Sequence, residues 1–164
     1  MTERKRVLVV GVGSIGERHL RCFQSTGRAD VSICELNNDV RSKIADQYGV
    51  ERQYTDLESA LAEPHDCAVI ATPAHVHIAN SIQAVRAGLD LFIEKPLSTS
   101  VEGIGELQAL LQETGRKAAV AYVYRAHPAL AAMKAALDSG KFGKPVQLVV
   151  VSGQNFPTYR PAYR

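Results

Sequence analysis

Val7-Leu8-Val9-Val10-Gly11-Val12-Gly13-Ser14-Ile15-Gly16 is the stretch on which the fold turns. Four apolar residues in unbroken succession read as a strand buried on both faces, because successive side chains of a strand point to opposite sides of its sheet. The run passes straight into G-x-G-x-x-G at Gly11, Gly13 and Gly16. A helix follows over 14–26, with Ile15, His19, Leu20 and Phe23 close to one helical stripe. In such a strand–turn–helix unit each glycine has a task. Gly11 allows the tight turn, Gly13 lets the backbone approach a pyrophosphate, and Gly16 lets helix and strand pack closely. Ser14 and Ile15 open the helix, where free N–H groups and the positive end of the helix dipole favour phosphate. The stretch points to a dinucleotide site.

The chain beyond it keeps alternating strand and helix. Strands are expected at 31–34, around Gln53-Tyr54, and at 67–71, 91–93 and 118–123; helices at 39–48, 74–87 and 101–113. Thr55 is expected to cap a further helix, with Glu58 three residues on as its capping-box partner. Strands alternating with helices require a parallel sheet covered on both faces, and right-handed crossovers make it a doubly wound α/β fold. Ligands of such sheets bind beyond the carboxyl ends of the strands.

Three strand ends carry polar chemistry. Glu35 follows the second strand, 24 residues after Gly11. A carboxylate there accepts hydrogen bonds from a ribose diol and repels a 2′-phosphate. Leu36-Asn37-Asn38 offer no cation to hold that phosphate, so NAD is expected over NADP. Thr72-Pro73 follows the fourth strand and starts a helix; His75 and His77, two apart, do not share a helical face, which argues against a metal pair. Glu94-Lys95-Pro96 follows the fifth strand. A lysine at the end of a buried strand beside a dinucleotide is suited to proton transfer or to polarising a substrate oxygen; the competing reading is a surface lysine paired with Glu94.

Composition narrows the classes. The chain has 164 residues, 46% hydrophobic and 22% charged, with a net charge of +2. That charge is too small to imply a nucleic-acid partner. Arg4-Lys5-Arg6 reads as a solvated lead-in to the first strand. No segment approaches the apolar length of a membrane span, and there is no signal-peptide pattern. Cys22, Cys34 and Cys67 are scattered and form no metal-ligand spacing, as expected of reduced cysteines in a cytoplasmic protein.

With these residues in hand, the chain resembles the Gfo/Idh/MocA oxidoreductases, which include glucose–fructose oxidoreductase and inositol dehydrogenase. The matching pieces are GVGSIGERHL at 11–20, Glu35, ATPAHVH at 71–77, AGLDLFIEKPL at 87–97 and YVYRAHPAL at 122–130. The resemblance implies an NAD(P)-binding first domain, a second α/β domain that supplies much of the substrate pocket and often an oligomer interface, and hydride transfer to or from a hydroxyl-bearing carbon of a sugar or cyclitol. It makes Lys95 the catalytic or substrate-binding lysine. It makes Glu94 and Pro96 part of the nicotinamide pocket, lines the cofactor with Thr72, Pro73 and His77, and sets Arg125 near cofactor and substrate. Ala126 and His127 stand where many members carry Phe and Asn, and are not assigned as contacts.

The expected division is a dinucleotide-binding domain over 1–125 and, over 126–164, a linker helix (128–139) and the first strand (147–151) of an incomplete second domain. The family's paired Asp and His, the latter the usual general base, would lie beyond Arg164. This chain is thus expected to be mainly the cofactor half of an NAD-dependent dehydrogenase, weak or inactive alone. A dimer could form by pairing the 147–151 strands. The alternative is a dinucleotide sensor that never catalyses, to which the retained Lys95 is opposed. A methyltransferase using S-adenosylmethionine is not expected to carry the Thr-Pro and Glu-Lys-Pro segments.

Overall fold

The computed structural model describes residues 4–151 and 153. Six strands form one sheet, β1 (Lys5–Val10), β2 (Ala29–Cys34), β3 (Gln53–Tyr54), β4 (Cys67–Ile70), β5 (Asp90–Ile93) and β6 (Ala118–Val120). Every pairing is parallel, and the order is β3-β2-β1-β4-β5-β6. This is the doubly wound arrangement, with its switch point between β1 and β4. The helices are α1 (Ser14–Ser25), α2 (Asn38–Tyr48), α3 (Leu57–Leu61), α4 (His77–Arg86), α5 (Ile104–Thr114) and α6 (Pro128–Asp138).

The unbroken apolar run of β1 has a direct cause. Val7 and Val9 enter one hydrophobic cluster with Leu20 of α1 and Ile44 and Ala45 of α2. Leu8 and Val10 enter the other, with Ala60 of α3, Ile78, Ile82 and Val85 of α4 and Leu107 of α5. Alternate residues thus serve opposite faces, and both faces are covered. Leu8 is fully buried; truncating such a side chain to alanine costs about 2–5 kcal/mol.

Three local expectations are corrected. The cap of α3 is Asp56, whose Oδ1 accepts from the Ser59 N–H at 2.7 Å, while the Thr55 hydroxyl donates to Asp56 Oδ2 at 2.9 Å. A carboxylate is the stronger acceptor at the positive end of a helix, so it displaces the neighbouring hydroxyl. Those same hydrogen bonds hold the Asp56 carboxyl below the usual range. The helix expected over 74–87 is broken, with a 3₁₀ turn at Ala74–Val76 before α4. Residues 147–151 form no strand. A strand exists only in a ladder, and none of the described residues pairs with this segment.

The described residues fall into two compact units that divide after Tyr122, where the sequence reading divides them after Arg125. Arg125 lies in the second unit, in a 3₁₀ turn at Val123–Ala126 that leads into α6. Among the described residues no helix is long and apolar enough to cross a membrane.

Candidate functional site

The turn after β1 sits at the switch point. Gly11 has φ of 82°, a left-handed conformation, and its N–H donates to the Cys34 carbonyl at 2.8 Å. A Cβ on Gly16 would lie 1.9 Å from the Gly11 carbonyl oxygen, so α1 can leave the turn only because that side chain is missing. Gly13 differs. A Cβ there would meet nothing within 4 Å, so its glycine is not required by the protein's own packing. It faces open space at the start of α1, whose N-terminus no side chain caps. The first-turn N–H groups of a helix lack intrahelical acceptors. Open space and uncapped donors together fit a pyrophosphate held by the Gly13-Ser14-Ile15 backbone. Ile15, expected on the core stripe, is 37% exposed beside this opening.

Glu35 does more than end β2. Its Oε2 accepts from the Val12 N–H at 3.0 Å and its Oε1 from the Asn37 N–H at 3.0 Å. The carboxylate therefore fastens the glycine turn, and the lone pairs left over are those a ribose diol could use. Sequence reasoning missed Arg41. It is buried, donating from Nη1 to the Glu35 carbonyl at 2.8 Å and from Nη2 to Asn38 Oδ1 at 2.6 Å. It is the cation nearest the acid along the chain, yet its guanidinium is committed to protein oxygens. Cys34, adjoining Glu35, is no nucleophile: burial first, then the charges of Asp56 and Glu35, push its thiol up to about 12.

The segments after β4 and β5 are tied to each other and to α1. Thr72 Oγ1 accepts from Asn80 Nδ2 at 3.2 Å, and among the described residues nothing accepts its hydroxyl proton. His77, expected to line the cofactor, is buried instead. Its Nδ1 lies 2.9 Å from the Pro96 carbonyl oxygen and its Nε2 2.8 Å from that of Thr72, so the ring spans the two segments. Pro73 sits at the surface between Thr72 and the 3₁₀ turn.

Glu94 is 6% exposed. Its Oε1 lies 2.8 Å from His19 Nε2, and its Oε2 accepts from the Lys95 backbone N–H at 3.0 Å. The carboxylate is thus spent without touching the Lys95 ammonium. Lys95 is exposed and, among the described residues, has no ion-pair partner, which removes the surface-pair reading. His19 was legible only as part of a core stripe. Its position three after Gly16, on the same helical face, was the available signal.

Gly11, Gly13, Ser14, Ile15, Gly16, Glu35, Thr72, Pro73, Glu94, Lys95 and Pro96 all follow or end strands β1, β2, β4 and β5 at one edge of the sheet. Residues 5–122 match the family model for the Gfo/Idh/MocA oxidoreductases, described as an oxidoreductase family with an NAD-binding Rossmann fold. The chain belongs to this family. Its matched segment is the family's NAD-binding Rossmann domain. Among curated relatives, scyllo-inositol 2-dehydrogenase (NAD(+)) of Bacillus subtilis (strain 168) is 30% identical over 149 residues, covering 89% of this chain and 44% of the relative. Inositol 2-dehydrogenase of Acidothermus cellulolyticus is 32% identical over 145 residues, covering 86% and 42%. Among solved structures, the WlbA dehydrogenase of Bordetella pertussis in complex with NADH and UDP-GlcNAcA superposes with a TM-score of 0.79 at 28% identity, covering 86% of this chain and 44% of that one. Myo-inositol 2-dehydrogenase of Lactobacillus plantarum superposes with a TM-score of 0.81 at 25% identity, covering 87% and 43%. The chain spans less than half the length of the curated relatives it matches.

Proposed function

We propose that this chain supplies the cofactor site and the reactive lysine of an NAD-dependent dehydrogenase acting on a hydroxyl of a sugar or cyclitol. The observation that carries the reading is the exposed Lys95 ammonium, unpaired among the described residues, on the same sheet edge as the glycine turn and Glu35. The inositol and nucleotide-sugar relatives support the substrate class. NAD, when bound, supplies or takes up the hydride.

The chain's own residues prepare that step. The Gly13, Ser14 and Ile15 backbone receives the pyrophosphate, with Gly11 and Gly16 shaping its turn. Glu35 receives the ribose diol and disfavours a 2′-phosphate. Thr72 and Pro73 line the cofactor, and Glu94 and Pro96 set the position of Lys95. Lys95 polarises the substrate oxygen and stabilises negative charge that develops there. Arg125 is assigned to cofactor and substrate by the family resemblance alone. The three cysteines, all free, accord with a cytoplasmic location. A sensor that never catalyses has no use for an uncommitted lysine at this edge.

Calorimetric titration of the chain with NAD, NADH and NADPH tests the reading. Binding of NAD(H) tighter than NADPH, weakened in Glu35→Ala, supports it. Absence of dinucleotide binding, with the chain folded, would reduce the glycine turn to a packing device.

A further inference from the structure

The segment after β2 is tied into α2 by polar contacts at almost every residue. The Glu35 carboxylate accepts from the Val12 and Asn37 N–H groups. Asn37 caps α2, its Oδ1 accepting from the Asp39 and Val40 N–H groups at 3.0 and 3.1 Å. Arg41, the fourth residue of α2, is 9% exposed. Its Nη1 donates to the Glu35 carbonyl at 2.8 Å, and its Nη2 donates at 2.6 Å to Oδ1 of Asn38, three residues before it on the same helical face. Among the described residues Arg41 pairs with no carboxylate. The acid and the guanidinium of this segment therefore serve different partners, the carboxylate the glycine turn and the guanidinium the strand end.

We propose that Asn38 and the Glu35 carbonyl form a latch that withholds Arg41 from the 2′ position of the adenosine ribose, so that Asn38 and Arg41 set the preference for NAD together with the charge of Glu35. The proposal rests on the cofactor site proposed above. A guanidinium stays charged at any working pH and presents its donors as a planar fork. Here the fork is spent on two neutral oxygens. A 2′-phosphate offers it two charged oxygens at once, which is the stronger contact. The latch denies a 2′-phosphate that contact.

Two devices then act on one position. The Glu35 carboxylate repels the phosphate, and the latch removes the cation that could receive it. Neither change alone converts the site. Loss of the acid leaves the phosphate without a cation, and release of the arginine leaves the phosphate beside the acid. The two changes are thus expected to be coupled rather than independent. Asn38 is the member to alter, because it is exposed and its truncation opens no cavity. Without it the guanidinium keeps one tie, to the Glu35 carbonyl, and a single tie does not fix the plane of the fork.

The test is calorimetric titration with NADH and NADPH, read as the ratio of the two affinities in each variant, so that a general loss of binding cancels. The acid is altered as Glu35→Gln, which removes the charge and keeps a side-chain oxygen for the Val12 N–H. Glu35→Gln with Asn38→Ala should shift the ratio towards NADPH about tenfold beyond the product of the two single shifts. Adding Arg41→Gln, which keeps donors and loses the charge, should abolish that excess. Single shifts that simply multiply overturn the latch, and so does an excess that survives Arg41→Gln. If the unaltered chain is folded and binds no NADH, the cofactor site falls and the latch falls with it. If it binds NADH and the shifts multiply, the latch alone falls.

Discussion

His19 Nε2 and Glu94 Oε1 lie 2.8 Å apart, joining α1 to the segment after β5 across 75 positions of sequence. The two side chains are 12% and 7% exposed. A carboxylate this far from water is tolerable only because its oxygens have partners, and His19 is one of them. His19→Ala leaves that oxygen orphaned and should destabilise the chain by about 2–4 kcal/mol, read from urea unfolding. A double-mutant cycle with Glu94→Gln should show coupling of about 1 kcal/mol or more. Additivity of the two changes would show that the contact carries no energy.

Gly16 and Gly13 make opposite predictions from one motif. Gly16→Ala drives a Cβ to 1.9 Å from the Gly11 carbonyl oxygen, a backbone atom that cannot step aside. The cost should be at least about 3 kcal/mol, and the chain should lose its cooperative unfolding transition at lower temperature. Gly13→Ala meets nothing within 4 Å and keeps an ordinary φ of −60°. Its stability should change by about 1 kcal/mol or less, the cost of alanine at an N-cap. NADH affinity should nevertheless drop about tenfold or more, because the space taken is the one proposed for the pyrophosphate. Equal losses of stability in the two variants would return Gly13 to a packing role.

The contrast between these glycines marks how far sequence reading reaches. The parallel sheet and its two-sided core follow from local patterns, since an apolar run such as 7–10 can satisfy only a sheet covered twice. The segments that carry chemistry were legible as strand ends. What the side chains do there was not, because it depends on partners far along the chain. His19 looked like core and holds Glu94. His77 looked like a cofactor contact and spans two carbonyls. Arg41 went unnoticed because its target is the backbone of Glu35. Adjacent Thr55 and Asp56 are both good caps, and only the geometry of α3 chooses. Val149, Val150 and Val151 have strand-forming side chains, but propensity supplies no ladder partner.

Glu35 has a double duty that separates two measurements. Glu35→Ala strips the acceptor from the Val12 N–H, and Val12 is buried, so stability should fall by about 1–3 kcal/mol. NADH affinity should fall as well, and the preference over NADPH should shrink towards parity as the repulsive charge goes. NADPH should not become a tight ligand, because Arg41 remains bound to the Glu35 carbonyl and Asn38. Strong NADPH binding in the variant would mean that Arg41 is free to turn.

His65 supplies a pH dependence of stability whose sign can be worked out. Its Nδ1 lies 3.0 Å from the Glu63 carbonyl oxygen and its Nε2 2.8 Å from Ser32 Oγ. Here one neighbour accepts and the other can donate, so a neutral ring satisfies both. Burial, with smaller contributions from Arg52 and Arg6, pushes its pKa below the ordinary 6.5, against the pull of Glu63. The unfolded chain therefore binds the proton more readily than the folded one. The stability is fully present above the unfolded value and is lost as pH falls from there towards the folded value. Unfolding free energy from urea titrations should decline between about pH 7 and pH 5, by no more than about 1.4 kcal/mol per pH unit for this one group. Asp66, held low mainly by the Arg6 N–H, has its folded value below 3.8 and acts at lower pH, so it does not obscure the window. His65→Gln cannot titrate and should flatten the decline. An unchanged slope in that variant would assign the pH dependence to another group and leave the buried Ser32–His65 contact without a role in it.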